Sequence, residues 1–97
     1  IIKISNKCLS FMAKEFKENQ RDCFDFDFFK FHFPNIEDKI ITAALCRLSS
    51  DSLATVKFYN NKPQIILLDI QGIQEIEENS LWKKGYKVIK EIKELLR

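Results

Sequence analysis

Apolar residues recur along this chain at two different periods, and the switches between them divide it into segments. From about Asn6 to Gln20, Cys8, Leu9, Met12, Ala13 and Phe16 share one helical stripe, with Ser5 or Asn6 as the cap. Phe11 lies off that stripe, which predicts contact with a neighbouring element or a partner. From Cys23 to Pro34 the period changes. Phenylalanine alternates with polar residues at 24, 26 and 28, then again at 29, 31 and 33, the pattern of a strand with a one-residue slip. A strand with a bulge, or a short helical turn, fits it, and one set of rings then fills the core under a small sheet. The competing reading is an aromatic patch in which Phe24, Phe26, Phe28 and Phe31 face a partner.

After Pro34, Asn35 reads as a cap with Asp38 three residues on, opening a helix over residues 36–49. Ile40, Ile41, Ala44, Leu45 and Leu48 form its apolar face. Lys39, Thr42, Ala43, Cys46, Arg47 and Ser50 form the opposite one, which is small and mildly basic. Strand alternation over residues 54–59 and 64–68, around Asn60-Asn61-Lys62-Pro63, predicts a β hairpin. Asp69 caps a short helix through Asn79 that buries Ile70, Ile73 and Ile76. The last helix runs from Ser80 to Arg97. Its stripe of Leu81, Gly85, Val88, Ile92 and Leu95 is widened by Trp82, Tyr86, Ile89 and Leu96 to half the circumference, more than the ~100° that one core face needs. That helix is therefore expected to contact two surfaces, with Trp82 and Tyr86 available to a protein partner.

Composition narrows the picture. Ninety-seven residues make a single domain, 1–97, and 45% hydrophobic with 31% charged residues is a globular balance. Two Gly and two Pro are too few for a turn-dense sandwich or barrel, so the fold class is α+β with helices dominant. The net charge of +2 hides a segregation: residues 21–40 carry 3 basic and 5 acidic side chains, residues 61–80 carry 1 and 4, and residues 81–97 carry 6 and 2. Any binding to DNA must therefore use a local patch. Cys8, Cys23 and Cys46 are odd in number and lack a C-x-x-C pair, which reads as free thiols in a reducing cytoplasm and not as a disulfide framework or a zinc site with His32. No apolar run reaches the ~20 residues of a membrane span.

Enzymatic chemistry finds little support. Glu37-Asp38-Lys39, with Asp25 or Asp27, has the composition of a metal-dependent nuclease site, but acids in the first turn of a helix are explained by its dipole. No glycine-rich loop cradles phosphate and no Ser or Cys has a paired His at a recognisable spacing. The expectation is a non-enzymatic protein with no cofactor and no metal.

Helix, short extended segment, helix, hairpin, helix is the order of a winged helix-turn-helix domain. It puts residues 36–49 in the recognition position and Lys57 through Lys62 in the wing. The contacts to double-stranded DNA would then be Lys39, Thr42, Arg47 and Ser50 on the helix, with Lys57, Asn60, Asn61 and Lys62 on the wing. One continuous positive strip of Lys39, Arg47, Lys57 and Lys62 favours that reading. Acids interrupting it favour a protein-interaction module, such as a phage or mobile-element protein that binds and inhibits a host protein. A homodimer through the last helix fits either reading, because winged helix proteins often pair through a terminal helix.

The stretch from Leu68 to Lys93 carries a Gly, then Glu78-Asn79-Ser80, then a Lys/Tyr-rich helix containing Lys90-Glu91-Ile92-Lys93. It resembles the C-terminal part of YjcQ-like winged helix proteins of low-GC Gram-positive bacteria and their phages. The resemblance implies a winged helix fold, a bacterial or phage origin, and no catalytic residues. In the first two thirds of the chain, the Phe-rich segment stands where that family has its second helix.

Overall fold

Ile2 and Ile4, half-buried against the core, extend the apolar stripe of the first helix toward its N-terminus, and α1 accordingly spans Ile2–Asn19. Its N-cap is Ile1, without a side-chain cap bond. Ser5 is not the cap: it is fully buried within the helix and its hydroxyl donates to the Ala44 carbonyl at 2.9 Å. The helix stops at Gln20, which is left-handed at φ 54, while the Gln20 and Arg21 N–H groups return to the Phe16 and Glu15 carbonyls. These coordinates are a computed structural model that describes residues 1–75 and 77–95.

Of the two forms open to the Phe-rich segment, a bulged strand or a short helical turn, the structure takes mainly the helical one. Only Cys23–Phe24 is strand, β1, and Phe26–His32 is a short helix, α2. The reason lies in Asp25, whose carboxylate accepts the Phe28 N–H at 2.9 Å and caps the helix. Phe26, Phe29 and Phe33 then fall at helical spacing, with Phe29 and Phe33 buried and Phe26 half-buried. The segment thus supplies the second helix that it was read as replacing.

The third helix, α3, spans Asp38–Ser50 and buries Ile41, Ala44, Leu45 and Leu48, as the spacing predicts. It starts from Glu37 and not Asn35, and no side chain caps it. Instead the Lys30 ammonium, reaching across from α2, donates to the Ile36 carbonyl at 2.6 Å and pairs with Asp38 at 2.9 Å.

Strands β2 (Ala54–Tyr59) and β3 (Lys62–Leu68) make the hairpin, and the antiparallel sheet has the order β1-β3-β2. Asn60 and Asn61 alone form the turn, at φ 54 and 64, the double left-handed geometry that asparagine tolerates. A register shift between Lys57 and Phe58 is a β-bulge near the tip. Phe24, Ala54, Ile66 and Leu68 bury the inner face against the helices.

Beyond the sheet, the Asp69 carboxylate accepts the Gly72 N–H at 2.7 Å and starts α4, Ile70–Glu75, which ends short of the Asn79 expected. Ile73 is buried and Ile70 half-buried, whereas Ile76 and Leu96 lie outside the described residues. The final helix is not continuous from Ser80. It is two pieces, α5 (Glu78–Lys83) and α6 (Ile89–Leu95), separated at Gly85. Gly85 is at φ 102, and a Cβ there would sit 2.8 Å from Ile2 Cγ1, so the chain crosses the first turn of α1 too closely for any other residue. The break lets Leu81, Tyr86, Ile89 and Ile92 all enter this chain's own core. Much of the apolar stripe is thereby used within the chain, while Trp82, also part of it, stays exposed. Among the described residues no helix is long and apolar enough to cross a membrane.

Candidate binding groove between the second and third helices and the hairpin turn

Two tertiary arrangements fix the chemistry around α3. At its N-terminal end, α2 and the hairpin turn enclose a groove of about 560 Å³. Asp25, Asp27 and Asp38 line it together with Lys30, Lys39 and Lys62. The Lys39 ammonium lies 3.3 Å from Glu37, and Lys30 holds Asp38. Of the residues expected to touch DNA, the groove gathers Lys39, Thr42, Asn61 and Lys62 and leaves Arg47, Ser50, Lys57 and Asn60 outside. Asn60 and Asn61 have an evident structural duty in the turn.

At the other end of α3, Asp51 is 13% exposed and collects the Tyr86 hydroxyl at 2.8 Å and the Lys84 ammonium at 3.2 Å, with Arg47 Nε 3.9 Å away. Burial, and then the bond to the Asp51 carboxylate, hold the Tyr86 phenol well above its ordinary range. Arg47 is thus drawn toward Asp51. The positive strip of Lys39, Arg47, Lys57 and Lys62 is interrupted by Glu37, Asp38 and Asp51, with Asp25 and Asp27 on the groove wall.

The aromatic residues divide sharply. Phe24 is buried on the inner face of the sheet and Tyr86 is fully buried, so neither presents its ring to a partner. Phe26 and Phe28 are half-buried, and Arg21 lies over the Phe24 and Phe28 rings at 4.8 and 5.1 Å. Phe31 is 81% exposed and Trp82 57%. Phe58 and Tyr59, on the hairpin opposite Pro63 and Lys62, are exposed as well, a feature the alternation in that strand concealed. Phe11, off its own helical stripe, stacks on His32 with ring centroids 4.0 Å apart, the neighbouring contact that its position predicts.

The nuclease-like carboxylates Asp25, Asp27 and Asp38 share the groove with Lys30 and Lys39. Asp25 is engaged as the α2 cap and Asp38 by Lys30, and among the described residues no group of three or more His, Cys, Asp or Glu is placed to hold a metal ion. The three thiols are free. Cys23 is exposed, Cys46 half-buried, and burial pushes the Cys8 thiol up to about 12. Comparison with family models, with curated proteins and with solved structures finds no match to this chain.

Proposed function

We propose that this chain is a winged helix-like, non-catalytic binding module that takes a protein partner on the face formed by α2, α3 and the hairpin. The order of elements and the sheet order β1-β3-β2 support the winged helix reading, with α3 in the recognition position and the hairpin as the wing. The observation that carries the choice of partner is the groove, with three carboxylates against three ammonium groups. A duplex would set its phosphates against those acids and release few counterions. A protein surface suits it better. Mixed charge flanked by exposed aromatic rings such as Phe31, Phe58 and Tyr59 matches the polar rim and aromatic anchors of protein interfaces.

A second reading, recognition of double-stranded DNA, draws on Lys57 and Lys62, which make no ion pair among the described residues and stand on the exposed wing. The tagged chain, recovered from cells of a Gram-positive host, tests both. A stoichiometric protein that is retained by the native chain and lost from Phe31→Ala and Tyr59→Ala supports the interaction reading. Tight duplex binding that weakens steeply with salt and with Lys57→Gln and Lys62→Gln, with no such protein recovered, replaces it by the second.

A further inference from the structure

A second surface lies away from the groove, where α1 meets residues 83–90. No acid occurs among residues 1–14, which contain Lys3, Lys7 and Lys14, and none among residues 79–90, which contain Lys83, Lys84, Lys87 and Lys90. The fold brings these two acid-free segments together. Asn6 Oδ1 accepts the Lys87 backbone N–H at 3.1 Å across 81 residues of sequence, and Gly85 lies against Ile2. Of the carboxylates near this junction, Asp51 is engaged by Tyr86, Lys84 and Arg47, while Glu91 and Glu94 lie one turn farther along α6, facing Lys14 and Lys17 of α1. Lys3, Lys7, Lys83, Lys87 and Lys90 are exposed and make no ion pair among the described residues. Beside them Trp82, the single tryptophan of the chain, is 57% exposed at the end of α5. The first turn of α1 contains no acid either, so the positive end of its dipole adds to the same field.

We propose that the lysines of the first turns of α1 and of residues 83–90 form a binding surface for the phosphodiester backbone of single-stranded nucleic acid, with Trp82 stacking on a base. Like charges brought together without ion pairs disfavour one another and are relieved by a polyanion. An exposed indole among lysines is the pairing that single-strand binding uses, because every base has a face to stack and every linkage a charge to meet. This surface is separate from the groove at α2, α3 and the hairpin.

Trp82 makes the test direct. A thymidine oligonucleotide of about twelve residues, titrated into the full chain at low salt, should quench the indole fluorescence. The quadruple variant Lys3→Gln, Lys7→Gln, Lys87→Gln, Lys90→Gln should bind at least about tenfold more weakly at low salt. Its log-affinity against log-salt slope should be shallower by about 0.7 for each lysine that meets a phosphate. Trp82→Ala, followed by anisotropy of a labelled oligonucleotide, should weaken binding on the order of tenfold with the slope unchanged. Lys57→Gln with Lys62→Gln should change neither. The proposal is overturned if the oligonucleotide neither quenches nor binds at low salt, or if the quadruple variant, folded by circular dichroism, binds as the native chain does. It is also overturned if vesicles one-quarter phosphatidylserine bind through these lysines while the oligonucleotide does not.

Discussion

The two ends of α3 look out on faces built in opposite ways. On the groove side, cations are neutralised by acids close by in sequence: Lys39 by Glu37, Lys30 by Asp38. That face pairs Lys30 and Lys39 each with an acid within eight residues, even where the pair spans α2 and α3. On the other side, the lysine surface exists only because residues near position 85 dock onto the first turns of α1, through Asn6 with Lys87, Ile2 with Gly85 and Asp51 with Tyr86. Local pairing hides charge, whereas long-range docking concentrates it. Conditions that loosen the docking should therefore dismantle the lysine surface first.

Alkaline pH should have the largest effect on this contrast. The folded chain holds the Cys8 thiol up to about 12 against an ordinary value of 9.0, and it also holds the Tyr86 phenol above its usual range. Both shifts are upward, so the stabilisation is complete below the ordinary values. It is lost as pH climbs from about 9 toward 12, because the unfolded chain releases protons that the folded one keeps. For Cys8 the loss is on the order of 4 kcal/mol by pH 12, which urea titrations across that range will measure. Unchanged stability over the window would mean that neither group is held as the structure shows.

Replacing Gly85 by valine should come next, at about 3 kcal/mol, since the residue must adopt φ 102 and clash with Ile2. Hydrogen exchange should then open α6 while the hairpin amides stay protected. Equal loss of protection in both would show that the two regions are not separable. Tyr86→Phe should cost about 2 kcal/mol, the worth of a hydrogen bond to a charged acceptor, read as a fall in thermal midpoint. At the small end, Asn61→Gly should leave the lysine surface untouched and stabilise the hairpin by about 0.5 kcal/mol, because φ 64 is free for glycine.

How well the sequence could be read depended on whether the signal was local. The hairpin was legible since Asn60-Asn61 between alternating strands encodes its own turn, and the buried face of α3 was legible because Ile41, Leu45 and Leu48 repeat at helical spacing. The Phe-rich segment was not. Its rings satisfy a strand period and a helix period at once, and the deciding cue is a single capping carboxylate at Asp25. The last helix misled for a related reason. Gly85 reads as tolerable within a stripe, and nothing nearby in sequence announces that Ile2 will stand against it. Of the groove, Lys39, Thr42, Asn61 and Lys62 were foreseen as contacts and Asp25, Asp27 and Asp38 as a nuclease-like acidic set, while folding decided that both sets line one groove.

By itself, the sequence determined the helical bias, the hairpin, the absence of paired cysteine spacing and the clustering of lysines in residues 1–14 and 79–90. Those follow from composition, periodicity and turn chemistry, which act within a few residues. Tertiary structure alone decided that Phe24 and Tyr86 are core while Phe31 and Trp82 are surface. It also decided that Arg47 leans on Asp51, and that two lysine-bearing segments some eighty residues apart dock on one another. Those are matters of which elements touch, and contacts between distant segments are selected by packing of the whole core, where no single residue carries the instruction.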